Sequence, residues 1–152
     1  MAYVVYVDMS AKSEQWSKDS AVAMANGKSK AIWVPARVKQ YLRQALVDQY
    51  GGKSLEYRVM AILVYFVVRD DLKNISQIVI DRDYTGEQIE ATIRNLLLNL
   101  LRHDLPNINA KYIRFDNIAG SKADKLARRV YEGKASYESV VTIAELETVL
   151  RR

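Results

Sequence analysis

The feature that most constrains the fold is an uninterrupted run of ten apolar residues, Val59–Val68. Ser54 is a residue type that caps helices, so a helix is predicted from Ser54 to about Leu72. Because the run is apolar on nearly all sides, we expect this helix to be buried at the centre of the molecule. Ten residues are too few to cross a bilayer, so no membrane association is expected.

Three short segments near the N-terminus are rich in apolar and β-branched residues and predict strands. Asn26-Gly27 begins a turn between the second and the third, so the three are expected to form an antiparallel meander. Pro35 can open the helix that follows, because the first helical position needs no N–H donor. The predicted strands are Val4–Met9, Ala21–Asn26 and Ala31–Val34, and the helix is Ala36–Gln49.

Strands and helices alternate in the second half of the chain. Ile75–Ile80 is short and β-branched, which is typical of a strand buried on both faces. The later elements are a helix from the capping pair Thr85 and Gln88 to Arg102, a strand Tyr112–Ile118, a helix Ser121–Tyr131, a short extension Val140–Ile143 and a terminal helix Ala144–Arg151. Strands joined by helices pair in parallel through right-handed crossovers. The expected fold is one α/β domain, 1–152, with a mixed sheet and helices on both faces.

Composition narrows the function classes. The chain has no cysteine, which excludes disulfides and thiolate metal sites and favours a cytoplasmic location. Its first residues read as a strand and lack the basic start and long apolar run of a signal peptide. The net charge of +5 favours polyanionic partners.

Acidic residues occur beside apolar core segments in four places. Carboxylates that are far apart in the chain but carried on core elements need a reason to converge, and a divalent cation with oxygen ligands is the usual one. The four stretches together therefore predict a metal-dependent nuclease site, although none of them would do so alone. They are Tyr6–Asp8, Leu55–Tyr57, Ile80–Asp83 and Ala123–Ala127.

This order of elements, with acids in those places, resembles the ribonuclease H-like superfamily. Ala-Asp-Lys-Leu-Ala at 123–127 is similar to the Ala-Asp-x-Leu-Ala run of ribonucleases H and retroviral integrase relatives. The resemblance covers residues 2–132 and implies a five-stranded mixed sheet. Its first three strands would be antiparallel, and its first and fourth strands would lie side by side at the centre. The helix at about 36–49 is then an insertion, and residues 136–152 are a C-terminal extension.

The resemblance also implies a set of metal ligands. Asp8 matches the first-strand Asp, Glu56 the helix Glu, and Asp124 the Asp of the last helix. Position at the end of the fourth strand favours Asp81. Similarity of 80–86 to the Arg-Asp-Gly segment of Piwi-type nucleases favours Asp83, and one of these two would bind metal while the other tunes it.

The implied chemistry is phosphodiester hydrolysis with two Mg²⁺ or Mn²⁺ ions about 4 Å apart. In this scheme Asp8 bridges the ions, and Glu56 and Asp81 hold the ion near the leaving group. Asp124 holds the ion near the attacking water. The implied substrate is a nucleic acid such as an RNA–DNA hybrid or structured DNA or RNA.

Two departures from the family keep other hypotheses open. The first strand continues as Asp8-Met9-Ser10 where ribonucleases H commonly have Asp-Gly-Ser, and the loop 117–121 has no histidine. The second hypothesis is therefore a catalytically inactive nucleic-acid-binding or assembly module with the same fold. A third is a different α/β domain in which the acids never meet.

Basic residues concentrate between Lys111 and Lys134, where there are seven against three acids. A solvated helix face would explain them, and so would an edge that contacts phosphates beside the acids. On the second interpretation the nucleic-acid contacts come from Lys122, Lys125, Arg128 and Arg129. The inserted helix and the apolar tail Val140–Leu150 exceed what the minimal fold needs, which is compatible with a homodimer.

Overall fold

The computed structural model describes residues 2–12, 15–49, 52–82 and 87–151. Within these ranges, six strands form one sheet in the order β5-β4-β1-β2-β3-β6. The first three strands are antiparallel neighbours, whereas β1 with β4, β4 with β5, and β3 with β6 pair in parallel. The mixed α/β architecture is thus confirmed. The strands are β1 (Tyr3–Ser10), β2 (Ser20–Ala25), β3 (Lys30–Val34), β4 (Ile75–Asp81), β5 (Ile113–Asp116) and β6 (Ser139–Val140).

The prediction of five strands was wrong, because β6 adds a sixth at the outer edge of β3. Ser139 pairs with Ile32, and Val140 pairs with Trp33. The backbone N–H of Glu138 donates to the carbonyl oxygen of Ala31 at 2.8 Å, and a side-chain oxygen of Glu138 accepts from the N–H of Ala31 at 2.7 Å. These contacts join residues far apart in the chain, so the local sequence pattern contains no sign of them.

Helices cover both faces of the sheet, as predicted. Residues of α1, α2, α3 and α5 share the large apolar core with Val5, Val7 and Ile80 of the sheet. The alternate sheet positions, including Ala23 and Val79, face α4. None of the helices within the described ranges is long and apolar enough to cross a membrane. The helices are α1 (Ala36–Leu46), α2 (Gly52–Val68), α3 (Glu87–Leu101), α4 (Lys122–Tyr131) and α5 (Ile143–Leu150).

The apolar run does form the buried central helix, since all of Val59–Val68 is buried within α2. Two of its predicted boundaries were wrong. Ser54 lies inside α2, and the helix stops at Val68 because the chain tightens into a 3-10 helix at Arg69–Asn74. The predicted cap Thr85 of the next helix lies outside the described residues.

The inserted helix α1 and the terminal helix α5 pack together inside the chain. The Tyr41 hydroxyl donates to a Glu147 carboxylate oxygen at 2.9 Å. Leu146 and Val149 of α5 are buried in the main core. A capping box between Thr142 and Glu145 fixes the start of α5. These residues suggested a homodimer, but they have partners within the monomer, and the homodimer stays a prediction.

The turn between β2 and β3 needs glycine at position 27. The φ of Gly27 is +109°, a region that L side chains rarely adopt, and an added Cβ would lie 2.4 Å from Cγ of Tyr3. Gly27→Ala is therefore expected to lower the free energy of unfolding by about 2 kcal/mol in urea denaturation. Gly133 is the matched control, because its φ is +76° and a Cβ there would meet nothing within 4 Å. Equal losses in the two variants would show that the contact with Tyr3 is unimportant.

Candidate carboxylate site and nucleic-acid interface

Three aspartates lie in one row across the central strands. Val7 of β1 pairs with Ile80 of β4, so Asp8 and Asp81 follow one step later on the two strands. Asp81 in turn pairs with Asp116 of β5. Paired residues of parallel strands point to the same face, and neighbouring strands are about 4.8 Å apart. The row therefore brings Asp8 and Asp81 side by side, as predicted for the first and fourth strands.

The row lies on the face that α4 covers. Tyr6 and Val79 pack in the apolar cluster with Ala123 of α4, and side chains alternate along a strand. Asp8 and Asp81, each two positions further along, therefore face the same way. Asp8 is only 7% exposed, and its Oδ1 accepts a hydrogen bond from the N–H of Met9 at 2.8 Å.

Backbone amides of the loop 117–121 donate hydrogen bonds to the carboxylates of both Asp81 and Asp124. The N–H of Ile118 donates to Oδ1 of Asp81 at 3.1 Å, and the N–H of Gly120 donates to Oδ2 of Asp124 at 2.8 Å. Amides two residues apart are within about 7 Å of each other. The same loop therefore holds both carboxylates near the end of the sheet.

Local structure at the start of α4 fixes the position of Asp124. Ser121 is the N-cap of the helix, and its hydroxyl oxygen accepts from the N–H of Asp124 at 3.2 Å. Asp124 therefore lies in the first turn, where a carboxylate interacts favourably with the helix dipole. Its Oδ1 is 3.3 Å from a guanidinium nitrogen of Arg128, one turn further along.

Glu56 comes from the opposite side of the sheet. It is half-buried near the start of α2, whose residues form the core on the face away from α4. The Tyr65 hydroxyl, near the end of α2, donates to Asp104, which follows α3. The helices α2 and α3 therefore both end on the side of the sheet where β4 begins. The start of α2 then lies toward the opposite side, where β1 and β4 end. Glu56 belongs to the same end of the molecule as the row, but on its other face.

The predicted metal ligands are therefore brought together only in part. Within the part of the chain that the structure describes, no three acidic or histidine side chains lie close enough together to hold one metal ion. Asp83 lies outside the described residues. Mg²⁺ commonly takes one or two protein carboxylates and completes its shell with water and substrate phosphate oxygens. Asp8 and Asp81 fit that requirement, because they are neighbouring oxygen donors at the end of two paired strands.

Asp116 is a residue of the row that sequence reasoning missed. It is exposed, and its Oδ1 accepts from the N–H of Asn117 at 2.8 Å. A signal was present, since Asp116 follows the apolar Phe115 in a predicted strand, as Asp81 follows Ile80. The predicted strand ran on to Ile118, which hid the fact that β5 ends at Asp116.

The basic residues predicted to bind nucleic acid lie on the solvent side of α4. Lys122, Lys125, Arg128 and Arg129 are all exposed, whereas Ala123, Ala127 and Val130 are buried against the sheet. Positive charge therefore follows the length of α4, whose first turn lies near the carboxylate row. Such a strip can contact phosphates without reading sequence.

No protein-family model, no curated protein and no solved structure matches this chain. The assignment of function therefore depends on the geometry of the acids and of the basic helix.

Proposed function

We propose that this protein is a metal-dependent nuclease with a ribonuclease H-like domain. The observation that supports it best is the alignment of Asp8 and Asp81 on the two central parallel strands, with Asp116 beside them. The strand order β5-β4-β1-β2-β3, with an antiparallel first half, agrees with the arrangement that the sequence resemblance implies. The sixth strand and the helices α1 and α5 would be additions to that domain.

Asp8 and Asp81 would be the ligands of a divalent cation, Mg²⁺ or Mn²⁺. A bound ion would supply Lewis-acid activation of a phosphodiester and of the attacking water. Glu56 approaches this end of the sheet from the α2 face, and Asp124 approaches it from the α4 face. Each carboxylate has about four lone-pair sites, so the amide hydrogen bonds of Asp81 and Asp124 leave oxygen capacity for a cation or its water shell.

The exposed cations of α4 would hold the substrate backbone next to these carboxylates. A row of carboxylates repels a polyanion, and positive charge on the adjacent helix offsets that repulsion. Lys122, Lys125 and Arg129 are the residues that we assign to phosphate contacts, because Arg128 also pairs with Asp124. Their contribution would weaken as salt concentration rises.

The direct test is cleavage of labelled nucleic acids in millimolar Mn²⁺. We expect at least one of four substrates, an RNA–DNA hybrid, a blunt duplex, a branched DNA and a single strand, to be cut in Mn²⁺ and left intact in EDTA. We also expect Mn²⁺ to raise the melting temperature, because a cation relieves repulsion among the carboxylates. No cleavage of any substrate, with a melting temperature that Mn²⁺ does not change, would refute the proposal.

A second candidate is a binding module without catalysis. It is favoured by the hydrogen bonds that the carboxylates of Asp81 and Asp124 already accept from Ile118 and Gly120, which give these acids a structural role. This candidate predicts metal-independent, salt-sensitive binding and no cleavage of any substrate. The same set of labelled substrates therefore separates the two functions.

A further inference from the structure

Three aromatic rings form a stack at the far end of α4. The ring of Trp33 on β3 stacks with Tyr131 of α4, at a centroid distance of 6.0 Å, and with Tyr137, at 5.6 Å. The ring planes differ by 23° and 26°, so both contacts are stacked. Tyr137 is 44% exposed, whereas the other aromatic side chains in the described ranges are buried or half-buried. The stack therefore includes a ring that solvent can reach.

The segment that carries Tyr137 is fixed to the sheet on its C-terminal side. Glu138 exchanges two hydrogen bonds with Ala31, one through its backbone and one through its side chain. The N–H of Val141 donates to the carbonyl oxygen of Trp33 at 2.9 Å. A ring held in this way loses little conformational entropy when it binds a partner.

Exposed cations occur along α4 between the carboxylate row and the aromatic stack. Arg129 is exposed and donates through its guanidinium to the carbonyl oxygen of Lys134 at 3.2 Å, so its charge reaches the turn that follows α4. From Asp124 to Tyr131 the helix advances about 10 Å, at 1.5 Å per residue. That distance corresponds to about three stacked nucleotides. Lys125, which is exposed, occurs within this stretch of the helix, as does Arg128, which pairs with Asp124.

We propose that the rings of Trp33, Tyr131 and Tyr137 are a stacking platform for an unpaired base, and that the substrate therefore has a single-stranded segment. An aromatic face beside a strip of cations is the combination that binds single strands without sequence preference. The phosphates would follow the cations of α4, and a base would stack on the exposed ring of Tyr137. This inference rests on the proposed function in one respect, which is the path of the bound nucleic acid. The nucleic-acid strand would run from the platform to Asp8 and Asp81. The platform itself needs no metal.

The test is fluorescence anisotropy of labelled oligonucleotides in EDTA, so that cleavage plays no part. We expect Tyr137→Ala to weaken binding of a single strand by roughly 5- to 100-fold, because one base loses its stacking partner. Tyr137→Phe keeps the ring and should bind like the wild type. Val140→Ala is the matched control, since Val140 is also exposed and lies in the same segment. A blunt duplex, whose bases are already stacked, should bind Tyr137→Ala as well as it binds the wild type.

Abasic oligonucleotides make the assignment specific. An abasic site at the contacted position should weaken binding to the wild type and leave binding to Tyr137→Ala unchanged, because the stacking partner is then already absent. If Tyr137→Ala binds the single strand as tightly as the wild type, the rings only close the end of the sheet and the inference fails. If the wild type binds no nucleic acid at all, the proposed function fails with it. Tight binding of a duplex alone would keep the proposed function and refute the platform.

Discussion

Replacing Asp8 with asparagine is expected to reduce Mn²⁺-dependent cleavage by on the order of 10³-fold. Asp8 is the most buried carboxylate of the row, and it lies between Ala23 of β2 and the position that Asp81 occupies on β4. An amide has the same shape as a carboxylate, but it carries no charge and therefore binds a divalent cation more weakly. The measurement is the initial rate on whichever substrate the wild type cuts, with each protein at the same concentration.

The variant should lose activity without losing its fold. Asparagine keeps an acceptor oxygen for the N–H of Met9, and it removes one of two neighbouring negative charges. We therefore expect the melting temperature of Asp8→Asn in EDTA to equal or exceed that of the wild type, while the rise caused by Mn²⁺ is lost. A merely structural aspartate would give the opposite result, which is a lower melting temperature in EDTA.

Asp48→Asn is the matched control for this experiment. Asp48 is an exposed aspartate that follows α1, on the face of the sheet away from the row. Its variant should cleave like the wild type. Cleavage that survives unchanged in Asp8→Asn would remove the carboxylate row as the reacting centre and point to a different site in the chain.

Local patterns were enough to predict most of the elements. The β-branched runs gave the strands β1 to β4, and the apolar run gave the buried helix, because each pattern depends on residues close together in the chain. The Asn26-Gly27 turn fixed the antiparallel start, since both residues take positive φ there. The neighbouring positions of Asp8 and Asp81 followed from the sheet order that the resemblance implied.

Features that depend on distant contacts could not be predicted in the same way. Strand β6 has only two residues and exists because Glu138 bonds to Ala31. The aromatic stack is formed by residues of β3, of the end of α4 and of the segment before β6. The spacing of these residues in the sequence does not predict that they meet. The position of Glu56 on the opposite face from Asp124 likewise follows from how the helices are distributed over the sheet.

Lys39 is the clearest case of a residue whose environment the sequence conceals. A lysine in a surface helix is ordinarily solvated, yet its side chain is 0% exposed. Its ammonium group donates to the carbonyl oxygen of Gln15 and to Oγ of Ser20, each at 2.8 Å. Gln15 precedes β2 and Ser20 is its first residue, so both oxygens come from outside α1. A buried charge of this kind is stable only when its hydrogen-bonding capacity is used.

Lys39→Ala is expected to lower the free energy of unfolding by about 3 kcal/mol. The substitution leaves buried acceptors without their donor, which costs roughly 1–3 kcal/mol for each group, and it opens a cavity where the aliphatic chain was. Urea denaturation followed by circular dichroism measures the loss. Lys18→Ala is the control, because Lys18 is exposed in the connection between β1 and β2 and its replacement should change stability by less than about 0.5 kcal/mol. A loss in Lys39→Ala no larger than in this control would show that the buried ammonium group is dispensable.

The effect should extend to the carboxylate row, because Lys39 supports the end of β1. The Ser20 hydroxyl accepts from Lys39 and donates to the carbonyl oxygen of Ala11 at 2.6 Å, just beyond the last residue of β1. Loss of Lys39 would weaken the hydrogen bond between Ser20 and Ala11. Because this bond holds the end of β1, the position of Asp8 would become less well fixed. We therefore expect Lys39→Met, which keeps the aliphatic packing, to recover part of the lost stability but little of the lost cleavage. A methionine variant with full activity would show that the end of β1 is held without this cation.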